Sequence, residues 1–167
     1  MNPLITMNPE LDLLLERVVP ISRQLVWQAW TEPQHLVHWF TPKPWQTVDC
    51  RIDLRPGGEF FARMKSPEGQ EFDNLGCYLA VVPQERLIWT DCLAPGFRPA
   101  GNPDFGPEEK GFFTAVITLA EVPQGTRYRA LAMHKNPANR KKHEEMGFHQ
   151  GWATVLDQLV AYMQGLG

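Results

Sequence analysis

The segment HEEMGFHQGW, residues 143–152, groups side chains that could take part in acid–base chemistry. A histidine titrates near neutral pH, and burial can raise the pKa of a glutamate toward the same range. Glu145 and His149 are four residues apart, so a helix would place them side by side on one face. His134 precedes this segment, at the end of a strand-like stretch. We therefore consider His134, Glu145 and His149 as candidate catalytic acid and base residues.

The same side chains could bind a metal ion instead. His134, Glu145 and His149 could reach one ion across a strand–helix gap, yet isolated histidines near aromatic residues usually make hydrogen bonds within the protein. His143 and His149 lie about 240° apart around a regular helix, so they cannot share an ion there. Zinc sites normally contain close ligand pairs such as C-x2-C, which this chain lacks. We predict no metal and no other cofactor, and the charged segment 138–145 could equally be a solvated helical turn.

The composition is typical of a water-soluble globular protein. Of 167 residues, 43% are hydrophobic and 21% charged, and a net charge of −3 gives no attraction for nucleic acid. The N-terminal segment has neither a basic cluster nor a long apolar run, so we expect no signal peptide and no membrane span. The cysteines are widely spaced, which predicts reduced thiols and a cytoplasmic location.

The pattern of apolar residues predicts a strand, two short helices, six strands and a long helix, in that order. Ser22 is a suitable N-cap for the first helix, and Pro33 fits the first turn of the second. Short turns containing proline or glycine separate several strands, which predicts antiparallel neighbours. The predicted strands cover residues 11–19, 46–54, 59–65, 72–82, 86–92, 111–122 and 126–134, and the long helix covers 137–164.

The chain is predicted to form one domain after a short tail. Residues 1–10 contain two prolines and few apolar anchors, so we expect a flexible N-terminus followed by a single domain over 11–167. Alternation along each strand sorts its residues onto two faces without deciding which face is concave. In the strand 46–54 this alternation groups Val48, Cys50, Ile52 and Leu54 on one face.

Four segments form a pattern that is specific in its order and spacing. They are VWQAWTEPQHLVHWF (26–40), DLRPGGEF (53–60), GCYLAVVPQERLIWT (76–90) and GWATVLDQLVAYM (151–163). With this pattern the chain resembles the START-like (SRPBCC) helix-grip superfamily, within it the group named for the heat-shock-protein-90 ATPase activator homologues. The resemblance implies an α+β fold, in which a curved antiparallel sheet of six or seven strands wraps around a long C-terminal helix, with two short helices after strand 1.

The resemblance also implies a cavity between the sheet, the short helices and the N-terminal half of the long helix. Apolar walls with a few polar groups are typical of small-molecule sites. On the strand 126–134, two alanines between Tyr128 and His134 leave room for a ligand, or for close approach of the long helix at its glycines. The predicted ligand-binding residues are Trp39, Phe40, Phe61, Arg63, Trp89, Phe113, Tyr128, His134, Phe148, His149 and Trp152.

Two features of this predicted site have alternative explanations. An inward-facing Arg63 would bind a ligand carboxylate or phosphate through paired hydrogen bonds, whereas on the outer face it would pair with Asp91 or Asp53. Trp39 and Phe40 could border the cavity mouth or pack in the core.

The long connection at 93–110 could form the opposite side of that mouth. It is rich in proline and glycine, and a connection of this length is usually mobile or functional. Its aromatic residues, Phe97 and Phe105, would then serve as lid residues. The same loop, or an exposed sheet edge, could support a homodimer.

Three functions follow from these features. We favour binding of a small apolar or amphipathic molecule in the cavity, without catalysis. The second is a cyclase or lyase reaction that uses His134, Glu145 or His149 as acid and base in the same cavity. The third is stimulation of a chaperone ATPase, as the group name suggests. We do not expect a chaperone partner, because this domain is one of two parts in the proteins that gave the group its name, and this chain has no room for the other.

Overall fold

The computed structural model describes residues 5–100 and 112–166. Its strands are β1 (Asp12–Val19), β2 (Gln46–Ile52), β3 (Glu59–Lys65), β4 (Glu71–Val82), β5 (Arg86–Thr90), β6 (Leu93–Ala94), β7 (Arg98–Pro99), β8 (Thr114–Val122) and β9 (Gly125–Met133). Within this described part, seven strands form one sheet in the order β1-β9-β8-β5-β4-β3-β2, while β6 and β7 form a separate ribbon. All neighbours in the sheet are antiparallel, so the predicted sheet is confirmed.

The helices are α1 (Arg23–Thr31), α2 (Pro33–Leu36), α3 (Pro137–Glu145) and α4 (Phe148–Leu166). The Ser22 side chain accepts a hydrogen bond from the backbone N–H of Leu25 at 3.2 Å and caps α1, as predicted. Pro33 occupies the first turn of α2, where its missing N–H removes no helical hydrogen bond. The predicted helix-grip arrangement, two short helices after β1 and a helix at the C-terminal end, is confirmed.

The hydrophobic core lies between α4, α1 and one face of the sheet, here called the inner face. Buried inner-face residues include Phe60, Tyr78, Leu87, Trp89, Ile117, Tyr128 and Ala130. From the helical side, Leu156, Leu159 and Met163 of α4 pack into the same cluster. The first and last strands along the chain, β1 and β9, pair in the sheet, with Leu13 opposite Ala132. In β1, Arg17 forms an ion pair with Asp157 of α4, with 2.8 Å between the nitrogen and the carboxylate oxygen, and this contact links α4 to β1.

A β-bulge corrects the predicted face of one residue in β2. The register with β3 shifts between Thr47 and Asp49, so Val48 points outward and is 43% exposed, while Thr47 is buried. Cys50 and Ile52 beyond the bulge do pack against the core. An extra residue in one strand reverses the alternation on either side of it, and the strict period-two pattern therefore misplaced Val48.

The predicted single helix over 137–164 is in fact two helices. The side chain of Asn136 caps α3 by accepting the N–H of Asn139 at 2.8 Å. The helix then stops at Met146, and Gly147 adopts a φ of 94°, a backbone conformation that glycine reaches without steric cost. The next helix starts at Phe148. As a result His143 and His149 lie on different helices, and their angular separation around one regular helix does not apply.

Substituting the two glycines near this break with alanine should have opposite effects on stability. Gly151→Ala should raise the free energy of unfolding by about 0.5–1 kcal/mol, because Gly151 is helical and an added Cβ meets no atom within 4 Å. Gly147→Ala should lower it by about 1–2 kcal/mol, because L-residues are strained at positive φ. Urea unfolding of both variants measures the difference. Equal effects would contradict the assigned role of Gly147 as the helix stop.

Candidate functional site

A cavity of about 310 Å³ lies between the inner face of the sheet, the α1–α2 region and the N-terminal half of α4. Aromatic and aliphatic side chains form most of its wall. Seven of the predicted ligand-binding residues are among its lining residues: Trp39, Phe40, Trp89, Phe113, Tyr128, Phe148 and Trp152. Trp30, Phe60, Ala62, Met64, Gly151 and Val155 also line it. The geometry therefore places an apolar void where these residues converge, and their contact with a ligand stays a prediction.

Phe61 and Arg63 lie on the outer face of the sheet, which corrects their predicted position. The inner face of β3 carries Phe60 and Ala62 instead, and both line the cavity. The Arg63 Nε donates a hydrogen bond to the Asp73 carboxylate at 2.7 Å. Phe61 is buried under two arginines, with the Arg51 guanidinium carbon 3.9 Å from its ring centroid. Since β3 has a phenylalanine on each face, alternation alone could not identify the concave side.

His134 and His143 form a buried pair at the α3 end of the cavity. The Nε2 of His134 lies 2.8 Å from the Nδ1 of His143, and the Nδ1 of His134 lies 2.8 Å from the carbonyl oxygen of Leu11. Of the two, His143 lines the cavity, and its ring packs against Phe113 and Phe148 at centroid distances of 4.9 and 5.3 Å. The sequence patterns singled out His134 but not this partner.

Burial sets the protonation state of the histidine pair. Loss of hydration, together with the smaller effect of the neighbouring His134, lowers the pKa of His143 from 6.5 to about 4. The pKa of His134 is also lowered, mainly by burial, although the Leu11 carbonyl opposes this shift. Both imidazoles are therefore neutral at pH 7. A neutral imidazole can donate one hydrogen bond and accept another, and it can also act as a general base.

Glu145 and His149 do not join His134, which corrects the candidate catalytic set. Glu145 is solvent-exposed near Lys141, with 3.8 Å between Oε1 and Nζ. The imidazole of His149 is 53% exposed and its Nε2 lies 3.5 Å from a Glu144 carboxylate oxygen. Neither residue lines the cavity. Across the described residues 5–100 and 112–166, no group of three or more His, Cys, Asp or Glu side chains is arranged to hold a metal ion.

Asp91 is a second polar residue at the cavity wall, close to the histidine pair. Its Oδ1 accepts the backbone N–H groups of Phe112 and Phe113 at 2.8 and 3.0 Å. The rings of these two phenylalanines in turn contact His143 at 5.1 and 4.9 Å. Burial raises the pKa of the Asp91 carboxyl, and the backbone hydrogen bonds partly oppose that rise. From the sequence, Asp91 was predicted only as a possible partner of Arg63.

Gln158 fixes the segment that carries two aromatic wall residues. Its Nε2 donates hydrogen bonds to the backbone carbonyls of Trp39 and Thr41 at 3.0 and 2.8 Å, and its Oε1 accepts the N–H of Lys43 at 3.0 Å. Trp39 is 1% exposed, and its Nε1 donates to the Ala29 carbonyl at 3.1 Å. Trp39 is thus both a core residue and part of the cavity wall. No local sequence signal marks Gln158.

The connection at 93–110 does not bring Phe97 to the cavity. Phe97 is 50% exposed and does not line the cavity; its ring lies 2.7 Å from the position that a Cβ on Gly57 would take. The nearby backbone N–H of Gly96 donates to the Gly57 carbonyl at 2.7 Å, so this part of the connection is held by the turn after β2. Phe105, the other predicted lid residue, lies outside the described residues.

Cys50, Cys77 and Cys92 are free thiols. Burial and the neighbouring Asp49 raise the pKa of Cys50 to about 12, so this thiol is protonated at neutral pH. Among the described helices, none is long and apolar enough to cross a membrane.

Comparisons with known proteins identify relatives over nearly the whole chain. A family profile described as "Activator of Hsp90 ATPase homolog 1-like protein" matches residues 20–164. A crystal structure of a protein from Nitrosomonas europaea is 49% identical with a TM-score of 0.87, over 95% of this chain and 97% of that one. No curated protein matches significantly.

More distant solved structures share the fold. The solution structure of an AHSA1-like protein from Aeromonas hydrophila is 21% identical, with a TM-score of 0.67 over 93% of this chain and 94% of that one. A crystal structure of a Rhodobacter sphaeroides protein is 18% identical, with a TM-score of 0.78 over 95% of each chain. At these identities the likeness concerns the fold alone.

Proposed function

This chain belongs to the Activator of Hsp90 ATPase homolog 1-like family, and we propose that it binds a small, mostly apolar molecule in the cavity between the inner face and α4. The observation that carries the proposal is the void itself. Protein interiors are normally packed to the density of an organic crystal, whereas a space of about 310 Å³ lined mostly by apolar side chains leaves those side chains without packing partners unless a ligand fills it.

The arrangement of the wall supports binding rather than loose packing. Phe60 is held edge-to-face against Trp89 at 5.0 Å, and Trp89 against Phe113 at 5.3 Å. Trp30 is fixed by a hydrogen bond from its Nε1 to the Tyr128 hydroxyl at 3.2 Å. Because each ring is held by contacts with its neighbours, none of them can move into the cavity without losing these contacts. The cavity therefore stays open without a ligand. A preformed apolar pocket with few polar groups is the usual form of a small-molecule site.

A direct test is isothermal titration of the purified protein with 2-naphthol, a neutral aromatic probe. We expect saturable 1:1 binding, because the probe can bury its rings among the aromatic residues of the wall. Native mass spectrometry of gently purified protein, before and after denaturation, shows whether an organic molecule is already bound and must be removed first. Bare protein that shows no saturable heat with the probe would contradict the proposal.

A cyclase or lyase reaction is a second candidate, favoured by one observation. Burial pushes the pKa of His143 down and that of Asp91 up, and both residues line the cavity. Pairs of titratable groups whose pKa values are shifted in this way occur at acid–base sites. If the protein is an enzyme of this kind, we propose these two residues as its base and acid, in place of Glu145 and His149. Conversion of a bound molecule on storage at pH 7, abolished in His143→Gln, would support catalysis.

A further inference from the structure

The hydrogen bonds of the histidine pair determine which nitrogen of each ring carries its proton. The Leu11 carbonyl can only accept, so Nδ1 of His134 must be the donor at 2.8 Å. A neutral imidazole has one N–H, which leaves Nε2 of His134 as an acceptor. Nδ1 of His143, at 2.8 Å, must then carry the proton and donate it. The remaining nitrogen, Nε2 of His143, consequently presents a lone pair.

That lone pair belongs to a residue of the cavity wall. His143 is a wall residue, and its Nε2 has no hydrogen-bond partner among the residues that the structure describes. Nor is it one of the fully buried, unsatisfied side-chain atoms of this part of the chain. The His143 ring packs against Phe113 and Phe148 at centroid distances of 4.9 and 5.3 Å, so rotating the ring would disturb this aromatic cluster. An acceptor in an apolar site favours a ligand that brings a donor.

Charge at the same end of the cavity restricts the ligand further. No lysine or arginine is among the described residues that line the void, and Arg63 is held by Asp73 on the outer face. The nearby Asp91 is an acceptor when ionised. An anionic ligand would therefore face two acceptors and no compensating cation, and transfer of its charge into the apolar site would be unfavourable.

On the basis of the proposed function, we infer that the ligand is a neutral apolar molecule bearing a hydroxyl group, and that this hydroxyl donates a hydrogen bond to Nε2 of His143. The Leu11 carbonyl and His134 act as positioning groups, because they hold His143 in the tautomer that accepts. Apolar walls supply most of the affinity, and His143 selects alcohols or phenols over ethers, hydrocarbons and carboxylates of the same shape.

The tautomer can be tested without any ligand. Long-range 1H–15N correlation spectra of the whole protein at pH 7 distinguish protonated from unprotonated ring nitrogens for each histidine. We expect His134 and His143 both to carry the proton on Nδ1, with Nε2 of His143 unprotonated. The ring signals that disappear in His143→Gln belong to His143, and those that disappear in His149→Gln belong to the exposed His149. A proton on Nε2 of His143 at pH 7 would overturn the inference and would leave the proposed binding function intact.

Selectivity is tested with three probes of similar size: 2-naphthol, 2-methoxynaphthalene and 2-naphthoate. We expect 2-naphthol to bind about tenfold more tightly than the methyl ether, because the ether cannot donate and leaves the acceptor unpaired. The carboxylate should bind more weakly still. Addition of 2-naphthol should also move the 15N signal of His143 Nε2, a change that a merely structural histidine would not show.

Variants connect the selectivity to one side chain. His143→Phe should bring the naphthol-to-ether affinity ratio close to one, while His149→Phe, a matched change at an exposed histidine, should keep it. If His143→Phe does not fold, the shift of the 15N signal of His143 Nε2 in the wild-type protein on addition of 2-naphthol shows whether the probe binds this nitrogen. Equal binding of naphthol and ether by the wild type would overturn the hydroxyl inference alone. Absence of binding by all three probes would overturn the proposed function and the inference together.

Discussion

The Gly151→Phe variant is expected to bind 2-naphthol at least about tenfold more weakly than the wild type, a loss of about 1.4 kcal/mol or more in binding free energy. Its fold should be retained. Gly151 lies on α4 at the cavity wall, and a Cβ built there meets no atom within 4 Å. The added ring would therefore occupy space that a ligand would otherwise fill, among the same aromatic neighbours.

The free space next to Gly151 also explains why the Gly151→Phe variant should not unfold. Overpacking destabilises a protein when the new atoms displace existing ones, and here the void accepts them. Replacing a helical glycine removes a conformational penalty, so the free energy of unfolding should stay within about 1 kcal/mol of the wild-type value or exceed it. Binding should thus weaken while the stability is retained, which separates cavity blockage from general damage.

Gly165→Phe is the matched control, since it places the same side chain on the same helix at an exposed position where an added Cβ also meets no atom within 4 Å. It should bind the probe as the wild type does. Isothermal titration measures the affinities, and urea unfolding measures the stabilities. Unchanged binding by Gly151→Phe, or an equal loss in Gly165→Phe, would show that the probe binds elsewhere.

Lowering the pH from 7 to 5 is expected to cost about 2 kcal/mol of folding free energy through His143 alone. Its pKa is near 6.5 in the unfolded chain and about 4 in the folded protein. Above 6.5 both states are neutral and the group has no effect. As the pH falls below 6.5, the unfolded state binds a proton that the folded state does not bind, and stability decreases until about pH 4.

Other titrating groups around the pair affect the size of this change. The lowered pKa of His134 acts in the same direction; Asp12 raises that pKa and Arg140 lowers it. The raised pKa of Asp91 acts in the opposite direction, because there the folded state binds the proton more readily than the unfolded state. The wild-type curve therefore sums several terms, and only a comparison with a variant isolates the contribution of His143.

His143→Gln provides that comparison, because its amide can still donate to Nε2 of His134 and does not titrate. Urea unfolding at pH 7 and pH 5 should show that the wild type loses about 2 kcal/mol more than this variant. His149→Gln, at an exposed position, should follow the wild type. Parallel pH profiles for wild type and His143→Gln would mean that His143 is protonated in the folded state above pH 5.

Local patterns were sufficient for most of the architecture. The bounds of β3 match the predicted strand 59–65, and β4 begins one residue earlier than predicted. These elements are set by alternation and by turn residues a few positions away, and both are visible in the sequence. The order of the elements and the antiparallel pairing followed for the same reason. The helix break at Gly147 also had a local signal, a glycine after a basic last turn, but a glycine at this place is equally compatible with close packing inside the one long helix that was predicted.

Which residues form the site was decided by the tertiary structure. Arg63 and Ala62 are adjacent in sequence, yet only the packing of α4 on the inner face decides that Ala62 faces the cavity and Arg63 faces solvent. His143 replaced His149 as the partner of His134 because the helix break lets α3 turn toward the end of β9. Short-range patterns report which residues share a face. Which face becomes buried, and which distant side chains then meet, is determined by long-range packing, because only that packing removes a side chain from water and brings it to its partner.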